Sequence, residues 1–408
     1  MPTLADLPTP ALLVDLDRLE ANLRRMQERC ARLGVALRPH VKTHKCLEVG
    51  RMQRELGARG ITVATLEEAR DFADGGFDDL TWAFPLVPGR LPEAIELARR
   101  VTLRLTLDTP EALAEVRKAA EAASRAAEEP LRLHVHLEVD CGDHRSGVDP
   151  ASERAVELAR GIAASEHLVF DGLLTHSGHA YQARSREEAA AVAEEERSVM
   201  ARLAERLRAE GIEVPAVSVG STPAMAAAED LAGVTEARPG NYAYYDLMQV
   251  TIGSCRPEDC ALTVLATVVS SQPGAEHSVI DAGALSLSKD PGTEDMDPPG
   301  FGEVREQVDD FDEGPPPPRV GAELVSARAP GTGSPREEAS SSPTRVGGNA
   351  VRVASLSQEH GVLSAPLPTG TRVRITPNHS CLTNACFDRV HAVRGREVVD
   401  TWRIVGRR

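Results

Sequence analysis

The 408-residue sequence has few aromatic residues and no long apolar run. Aromatic residues make up only 3% of the chain, so the core must consist mainly of Leu, Val, Ile and Ala, which is typical of α/β proteins with buried parallel strands. No stretch of about 18 apolar residues is present, which argues against a membrane span. The N-terminal MPTLADLPTP lacks the basic and apolar parts of a secretory signal, so we expect a cytoplasmic protein.

The sequence also lacks a paired-cysteine motif and an excess of basic charge. Its seven cysteines include no CxxC pair, and this odd, scattered set argues for a reducing compartment without a disulfide framework. Acidic residues outnumber basic residues 62 to 46, for a net charge of -16. That balance attracts neither nucleic acid nor an anionic membrane surface, so we expect neither partner.

The first two-thirds of the chain alternates between strand and helix patterns. In residues 17–33, Leu19, Leu23, Met26 and Cys30 fall on one helical face. Eight such strand–helix units in about 240 residues predict a (β/α)8 TIM-type barrel over residues 1–246. A doubly wound sheet is less favoured, because no GxGxxG turn is present. The strands are predicted at residues 35–38, 61–64, 79–84, 101–107, 132–139, 168–174, 216–219 and 234–237.

The pattern changes after Asn241, where strands follow one another with few helices. Residues 247–290 and 349–408 are therefore predicted to form a mostly-β C-terminal domain. Between these ranges, residues 291–348 hold ten of the 28 prolines and 12 acidic against 5 basic residues. Such a composition cannot offset the entropy of ordering, so we expect a disordered or loosely ordered insertion. The β strands are predicted at residues 260–270, 278–281, 352–356, 371–376, 387–393 and 398–405.

Two loops after predicted barrel strands have the composition of an anion site. Gly220, Ser221 and Thr222 follow the seventh strand, and Gly240 and Asn241 follow the eighth. Backbone N–H groups and hydroxyls at such positions bind phosphate, and the loops after strands seven and eight form the usual phosphate site of this barrel. Two ordinary tight turns are the alternative interpretation.

A lysine follows the first predicted strand. Lys42 is flanked by His40, His44 and Lys45, whose positive charges would lower its pKa. A neutral amine is what Schiff-base chemistry requires. Together with a phosphate site, Lys42 suggests pyridoxal phosphate as cofactor, although a solvated basic loop would show the same local pattern.

A third feature is the PNHSC sequence that follows a strand of the predicted β domain. In extended backbone, His379 and Cys381 lie on the same side. Imidazole and thiolate ligands suit zinc, and two ligands leave the open positions of a catalytic metal. A buried cysteine beside a hydrogen-bonded histidine is the alternative.

Strings along nearly the whole chain, except residues 291–348, resemble one known family. They are TPALLVDLDRLEANL, RPHVKTHKC, GARGITVATLEEA, LEVDCGDHRSGV, GSTP, RPGNYAYYD, DAGALSLSKD, SQEHG and PNHSCLTNACFDR. The sequence thereby resembles the D-serine dehydratase / D-threonine aldolase family of fold-type III pyridoxal phosphate enzymes, relatives of alanine racemase. The resemblance implies a barrel plus a C-terminal β domain in a homodimer, acting on a small D-3-hydroxy amino acid.

The resemblance also implies a role for each matching residue. Lys42 would bind pyridoxal phosphate covalently, Arg145 would approach its phenolic oxygen, and His176 would lie near its ring. His379 and Cys381 would form the metal pair. The implied phosphate-holding residues are Gly220, Ser221, Thr222, Gly240, Asn241 and Tyr242.

The second metal ligand favours one activity within the family. Its aldolases resemble an HxD pattern suited to Mn2+ or Mg2+, and its dehydratases resemble an HxC pattern suited to Zn2+. Cys381 therefore predicts elimination of water and ammonia from D-serine, D-threonine or D-3-hydroxyaspartate, with D-threonine aldolase as the alternative. A racemase is disfavoured because no tyrosine lies in the β-rich tail. A non-catalytic pyridoxal phosphate carrier is disfavoured because carriers resemble a barrel alone.

Overall fold

The computed structural model describes residues 2–125, 131–297, 299–308 and 350–406. Its first strand is β1 (Ala11–Asp15), and the eight strands that follow form one parallel sheet, in the spatial order 36–37, 236–237, 216–219, 168–174, 133–138, 102–107, 79–85 and 61–63. A parallel bridge between His40 and Thr62 joins the two ends of this sheet and closes the barrel. All eight predicted barrel strands are present: β2 (Ala36–Leu37), β3 (Ile61–Val63), β4 (Asp79–Pro85), β5 (Thr102–Leu107), β6 (Leu133–Glu138), β7 (Leu168–Leu174), β8 (Ala216–Val219) and β9 (Glu236–Ala237).

Amphipathic helices connect these strands and cover the barrel. In the helix over Leu16–Arg32, Asp15 accepts a hydrogen bond from the Arg18 N–H and caps the N-terminus. The predicted apolar face of that helix is buried. Within the described residues, no helix is long and apolar enough to cross a bilayer. The helices are α1 (Leu16–Arg32), α2 (Leu47–Glu55), α3 (Leu66–Asp74), α4 (Leu91–Ala98), α5 (Pro110–Arg125), α6 (Glu153–Ala163), α7 (Arg186–Ala209), α8 (Thr222–Ala227), α9 (Leu247–Ile252), α10 (Ala284–Leu287) and α11 (Ser380–Ala385).

The second sheet forms the β domain, and it includes a strand from each end of the chain. β1 pairs with β10 and β16, although the sequence placed residues 11–15 with the barrel. Gly302–Val308 is also a strand, within the stretch assigned to an insertion, because Val304 and Val308 alternate toward the core between polar residues. Residues 309–348 of the predicted insertion lie outside the described residues. The strands are β10 (Leu262–Ser270), β11 (Ser278–Ile280), β12 (Gly302–Val308), β13 (Val353–Leu356), β14 (Gly361–Leu363), β15 (Arg372–Pro377), β16 (Arg389–Arg394) and β17 (Glu397–Arg403).

The barrel interior contains a chain of ion pairs and hydrogen bonds. Arg38 pairs with Asp79 at 2.6 Å and with Glu236 at 3.0 Å. Ser218 Oγ donates to Glu236 at 2.6 Å and accepts from Arg238 Nη1 at 2.5 Å. Burial raises the pKa of Glu236, but Arg38 and its other partners lower it to about 2. This series of ion pairs and hydrogen bonds therefore ends at the charged guanidinium of Arg238, which is held at the carboxyl end of the barrel.

Candidate active site

A pocket opens where the carboxyl ends of the barrel strands meet helix α11 of the β domain. The two parts are fastened here: Thr43 Oγ1 lies 3.2 Å from Cys381 Sγ, and Asn384 Nδ2 donates to the His44 carbonyl at 3.1 Å. The pocket is lined by His40, Lys42, Thr43, Ala83, Glu138, Arg145, Leu174, His176, Tyr181, Gly220, Ser221, Arg238, Gly240, Asn241 and Cys381. Eight of the eleven residues singled out from the sequence belong to this lining.

Lys42 lies in the pocket wall, in the turn that follows β2. Burial lowers the pKa of its amine below the ordinary value, the Cys381 thiol opposes this shift, and Arg145 adds to it. The flanking residues contribute less than the sequence suggested. His44 is buried with its Nδ1 accepting from the Cys46 N–H, and Lys45 pairs with Glu68 at 2.7 Å. The surroundings of the pocket therefore favour a neutral Lys42 amine.

The two predicted phosphate loops lie side by side. The Tyr242 N–H donates to Thr222 Oγ1 at 3.1 Å and so joins the loop after β8 to the loop after β9. In the described part of the chain, the backbone N–H groups of Ser221, Gly240 and Asn241 donate to no protein acceptor. Free N–H groups from two adjoining loops are suited to bind an anion.

Three predicted site residues lie outside the pocket lining. Thr222 is fully buried and uses its Oγ1 to hold the neighbouring loop. Tyr242 is also fully buried, and its hydroxyl accepts from Gln53 Nε2 at 2.9 Å, so its side chain points away from the pocket. His379 follows the end of β15 and is the N-cap residue of helix α11.

Arg145 and His176 approach the pocket from the loops after β6 and β7. The Arg145 side chain is 59% exposed, with only a long 3.9 Å ion pair to Asp143, so it is free to turn toward a bound anion. Burial lowers the pKa of His176 well below its ordinary value, and Lys42 lowers it further. His176 is therefore neutral and can act as a hydrogen-bonding group rather than as a cation.

His379 and Cys381 interact, but the expected extended backbone is wrong: His379 is the N-cap of helix α11 and Cys381 lies in the first turn of that helix. Burial opposes the charged forms of both, yet each stabilises the other. The thiol raises the pKa of His379 to about 11, and the imidazole lowers the pKa of Cys381. Asn241 Nδ2 lies 3.7 Å from Cys381 Sγ, and Asp290 Oδ2 lies 2.6 Å from His379 Nδ1. The imidazole thus favours the thiolate of Cys381, the form that binds metals.

Several residues of the site were not found from the sequence. Glu138 accepts from Ser146 Oγ at 2.7 Å through one oxygen, while its other oxygen has no partner among the described residues. Arg238 reaches the pocket from the far end of the interior chain, and Tyr181 enters from the loop after β7. The alternation His134, His136, Glu138 along β6 was the available signal for an inward-facing carboxylate.

The donor groups fit pyridoxal phosphate and a metal ion. The acceptor-free N–H groups and Lys42 supply what the phosphate and the aldehyde of the cofactor require. Across residues 2–125, 131–297, 299–308 and 350–406, no three His, Cys, Asp or Glu side chains form a set that could hold a metal. The candidate donor set therefore consists of the His379 imidazole and the Cys381 sulfur. These two ligands suit zinc and leave positions for water or substrate.

Comparison with known proteins agrees with both parts of the fold. Residues 14–247 match the family model described as "Alanine racemase, N-terminal domain", and residues 261–393 match the one described as "Putative serine dehydratase domain". The chain is 39% identical to a D-threo-3-hydroxyaspartate dehydratase of a Delftia species, over 98% of both chains. It is 35% identical to a D-threonine aldolase of an Arthrobacter species, over 71% of this chain and 75% of that protein.

A solved structure has the same fold over nearly the whole chain. It is described as the D-threo-3-hydroxyaspartate dehydratase with one cysteine replaced by alanine, in the metal-free form. It superposes with a TM-score of 0.83 at 36% identity, over 99% of each chain. The fold, the pocket and these matches agree, and the chain belongs to the D-serine dehydratase / D-threonine aldolase family of alanine racemase-like proteins.

Proposed function

We propose that this chain is a lyase that uses pyridoxal phosphate and zinc to eliminate water and ammonia from a D-3-hydroxy amino acid, leaving a 2-oxo acid. The observation that carries the proposal is the pocket itself. The Lys42 amine and the Cys381 sulfur line one cavity, beside two loops with acceptor-free N–H groups. The substrates proposed are D-serine, D-threonine and D-3-hydroxyaspartate, and the assembly proposed is a cytoplasmic homodimer.

The chain's own groups would hold the cofactor at both ends. The N–H groups of Ser221, Gly240 and Asn241 would bind its phosphate, Lys42 would bind its aldehyde carbon, and Arg145 and His176 would contact the ring. When bound, pyridoxal phosphate supplies an electron sink for the negative charge that develops at Cα.

Lys42 is suited to move the Cα proton. Burial lowers the pKa of this amine, so a larger fraction is neutral and Nζ can accept the proton of the substrate. Arg145 and Arg238 are the cations of the pocket that can attract the substrate carboxylate. The β-hydroxyl is a poor leaving group, and a metal ion on His379 and Cys381 would supply the Lewis acid that its departure requires.

Two observations favour elimination over retro-aldol cleavage. The thiolate of Cys381 is a soft ligand, which selects zinc over Mn2+ or Mg2+. The dehydratase relative aligns with 98% of this chain, whereas the aldolase relative aligns with 71%. The metal-free state of the cysteine-to-alanine relative supports a metal site in the same fold. D-threonine aldolase, with Mn2+ or Mg2+, remains the second candidate because that aldolase is 35% identical.

D-threonine distinguishes the two activities, because each gives a different pair of products. Purified protein is incubated with D-threonine, pyridoxal phosphate and zinc, and the products are identified by mass spectrometry, with Lys42→Ala as the control. The proposal predicts 2-oxobutanoate and ammonia from the wild type and neither from the variant. Glycine and acetaldehyde as the main products would establish the aldolase instead.

A further inference from the structure

Asp290 contacts the metal-ligand histidine directly. Its Oδ2 lies 2.6 Å from His379 Nδ1, and both side chains are mostly buried, with 23% and 22% of their surface exposed. Its other oxygen, Oδ1, accepts from the Gly292 N–H at 2.8 Å, and its own N–H donates to Ser288 Oγ at 3.2 Å. The carboxylate is therefore held from its own chain segment, with one oxygen left for the imidazole.

The segment that follows Asp290 is fastened to the residue that precedes His379. The buried Asn378 side chain donates from Nδ2 to the Pro291 carbonyl at 2.8 Å and to the Gly300 carbonyl at 2.6 Å. Farther along, Asp295 pairs with Arg184 of the barrel at 3.2 Å. The two Asn378 hydrogen bonds hold this segment beside His379 independently of the Asp290–His379 contact, whereas the exposed Asp295–Arg184 pair contributes little.

This geometry decides which nitrogen of His379 is available. A hydrogen bond from Nδ1–H to a carboxylate leaves the Nε2 lone pair to a metal, and such carboxylate–histidine pairs orient the ring and strengthen it as a ligand. We propose that Asp290 is a positioning residue that fixes the ring of His379 for metal binding. The inference rests on the proposed function, because it takes His379 as a ligand of the metal used in catalysis.

Metal affinity tests the inference without any catalysis. The dissociation constant for zinc is measured by competition with a chromogenic chelator, on protein loaded with pyridoxal phosphate and without substrate. Asp290→Ala should weaken zinc binding roughly 10- to 100-fold, and Asp290→Asn should weaken it less, because the amide oxygen still accepts the Nδ1–H. Asp295→Asn is the matched control: it removes a carboxylate of the same segment that does not touch His379, and we expect binding within about twofold of wild type.

Cobalt(II) in place of zinc gives a second reading. Its visible absorption reports ligand geometry, so Asp290→Ala should alter the spectrum and Asp290→Asn should largely restore it. Unchanged zinc affinity and an unchanged cobalt spectrum in Asp290→Ala would overturn the role of Asp290 and leave the proposed function standing. If that variant does not fold, Asp290→Asn carries the test, because a neutral amide is a weaker acceptor than a carboxylate: zinc binding weaker than in the wild type supports ring positioning, and wild-type zinc affinity overturns it. A wild-type protein that binds no metal would overturn the proposed function as well.

Discussion

Glu196 offers a sharp test of the buried electrostatics beneath the phosphate loop. It projects inward from helix α7 with 2% of its surface exposed, and its Oε1 accepts the Gly220 N–H at 2.9 Å. Burial raises the pKa of this carboxyl from 4.5 to about 7, although Gly220 and Arg238 act in the opposite direction. The folded protein therefore holds a proton at Glu196 over a pH range in which the unfolded chain has lost it.

The sign of the effect follows from this difference in protonation. Burial of the Glu196 carboxyl lowers the free energy of unfolding only slightly below pH 4.5. The loss grows as pH rises toward 7 and then stays constant. A shift of this size corresponds to roughly 3 kcal/mol in full, most of which develops between pH 5 and pH 8. Glu196→Gln keeps the acceptor for Gly220 and has no charge to bury, so its stability should not show this loss.

The measurement compares urea unfolding of wild type and Glu196→Gln at pH 5 and pH 8. Because the other titrating groups are common to both proteins, they cancel in the difference. We expect the difference in free energy of unfolding between variant and wild type to shift in favour of the variant by about 2–3 kcal/mol from pH 5 to pH 8. Surface Glu194→Gln, on the same helix, is the control. An equal difference at both pH values would refute the reasoning, since it would mean that Glu196 titrates at the same pKa in the folded and unfolded chain.

Three further predictions concern single residues. Borohydride should attach pyridoxal phosphate covalently to the wild type but not to Lys42→Ala, and the variant's kcat should fall at least about 10²-fold; covalent attachment elsewhere, seen by peptide mass spectrometry, would contradict the assignment. Glu236→Gln leaves buried Arg38 without one partner, so the free energy of unfolding should fall by about 3–5 kcal/mol. Because the pKa of Glu236 is lowered to about 2, this deficit should shrink as pH falls from about 4.5 toward 2. Thr43→Val removes the contact with Cys381 Sγ and should weaken zinc binding roughly fivefold, which the chelator competition measures.

The barrel could be predicted from the sequence because its signals are local. Each strand is a short apolar run followed by a helix with an apolar face, and the polar loops after the strands mark the pocket. Strand β1 could not be placed in this way. Its register, with Ala11 opposite Leu265, depends on a partner far along the chain that no local pattern identifies.

In the candidate site, too, the residues with a local sequence signal were predicted and the side-chain directions were not. Lys42 and the loops at Gly220 and Gly240 were found because they follow strands, and Cys381 because of its spacing from His379. Tyr242 has the right position in the chain, yet its side chain packs inward onto Gln53. Spacing along a loop does not decide which way a side chain turns.

Glu196 and Asp290 were missed for different reasons. Glu196 shares a helical face with Ala193, Met200 and Leu203, all buried, so the period of 3.6 contained a signal for its burial. Asp290 contacts a histidine 89 positions away, and only the tertiary structure brings the two together.

We expect elimination at Lys42 to depend on a metal held by His379 and Cys381. The most direct test is to remove the metal with a chelator, add zinc back in steps, and follow pyruvate formation from D-serine together with the zinc bound per chain. We expect chelation to abolish pyruvate formation while pyridoxal phosphate stays bound, and activity to return in proportion to zinc up to one ion per chain. Full activity in the chelated protein would contradict it.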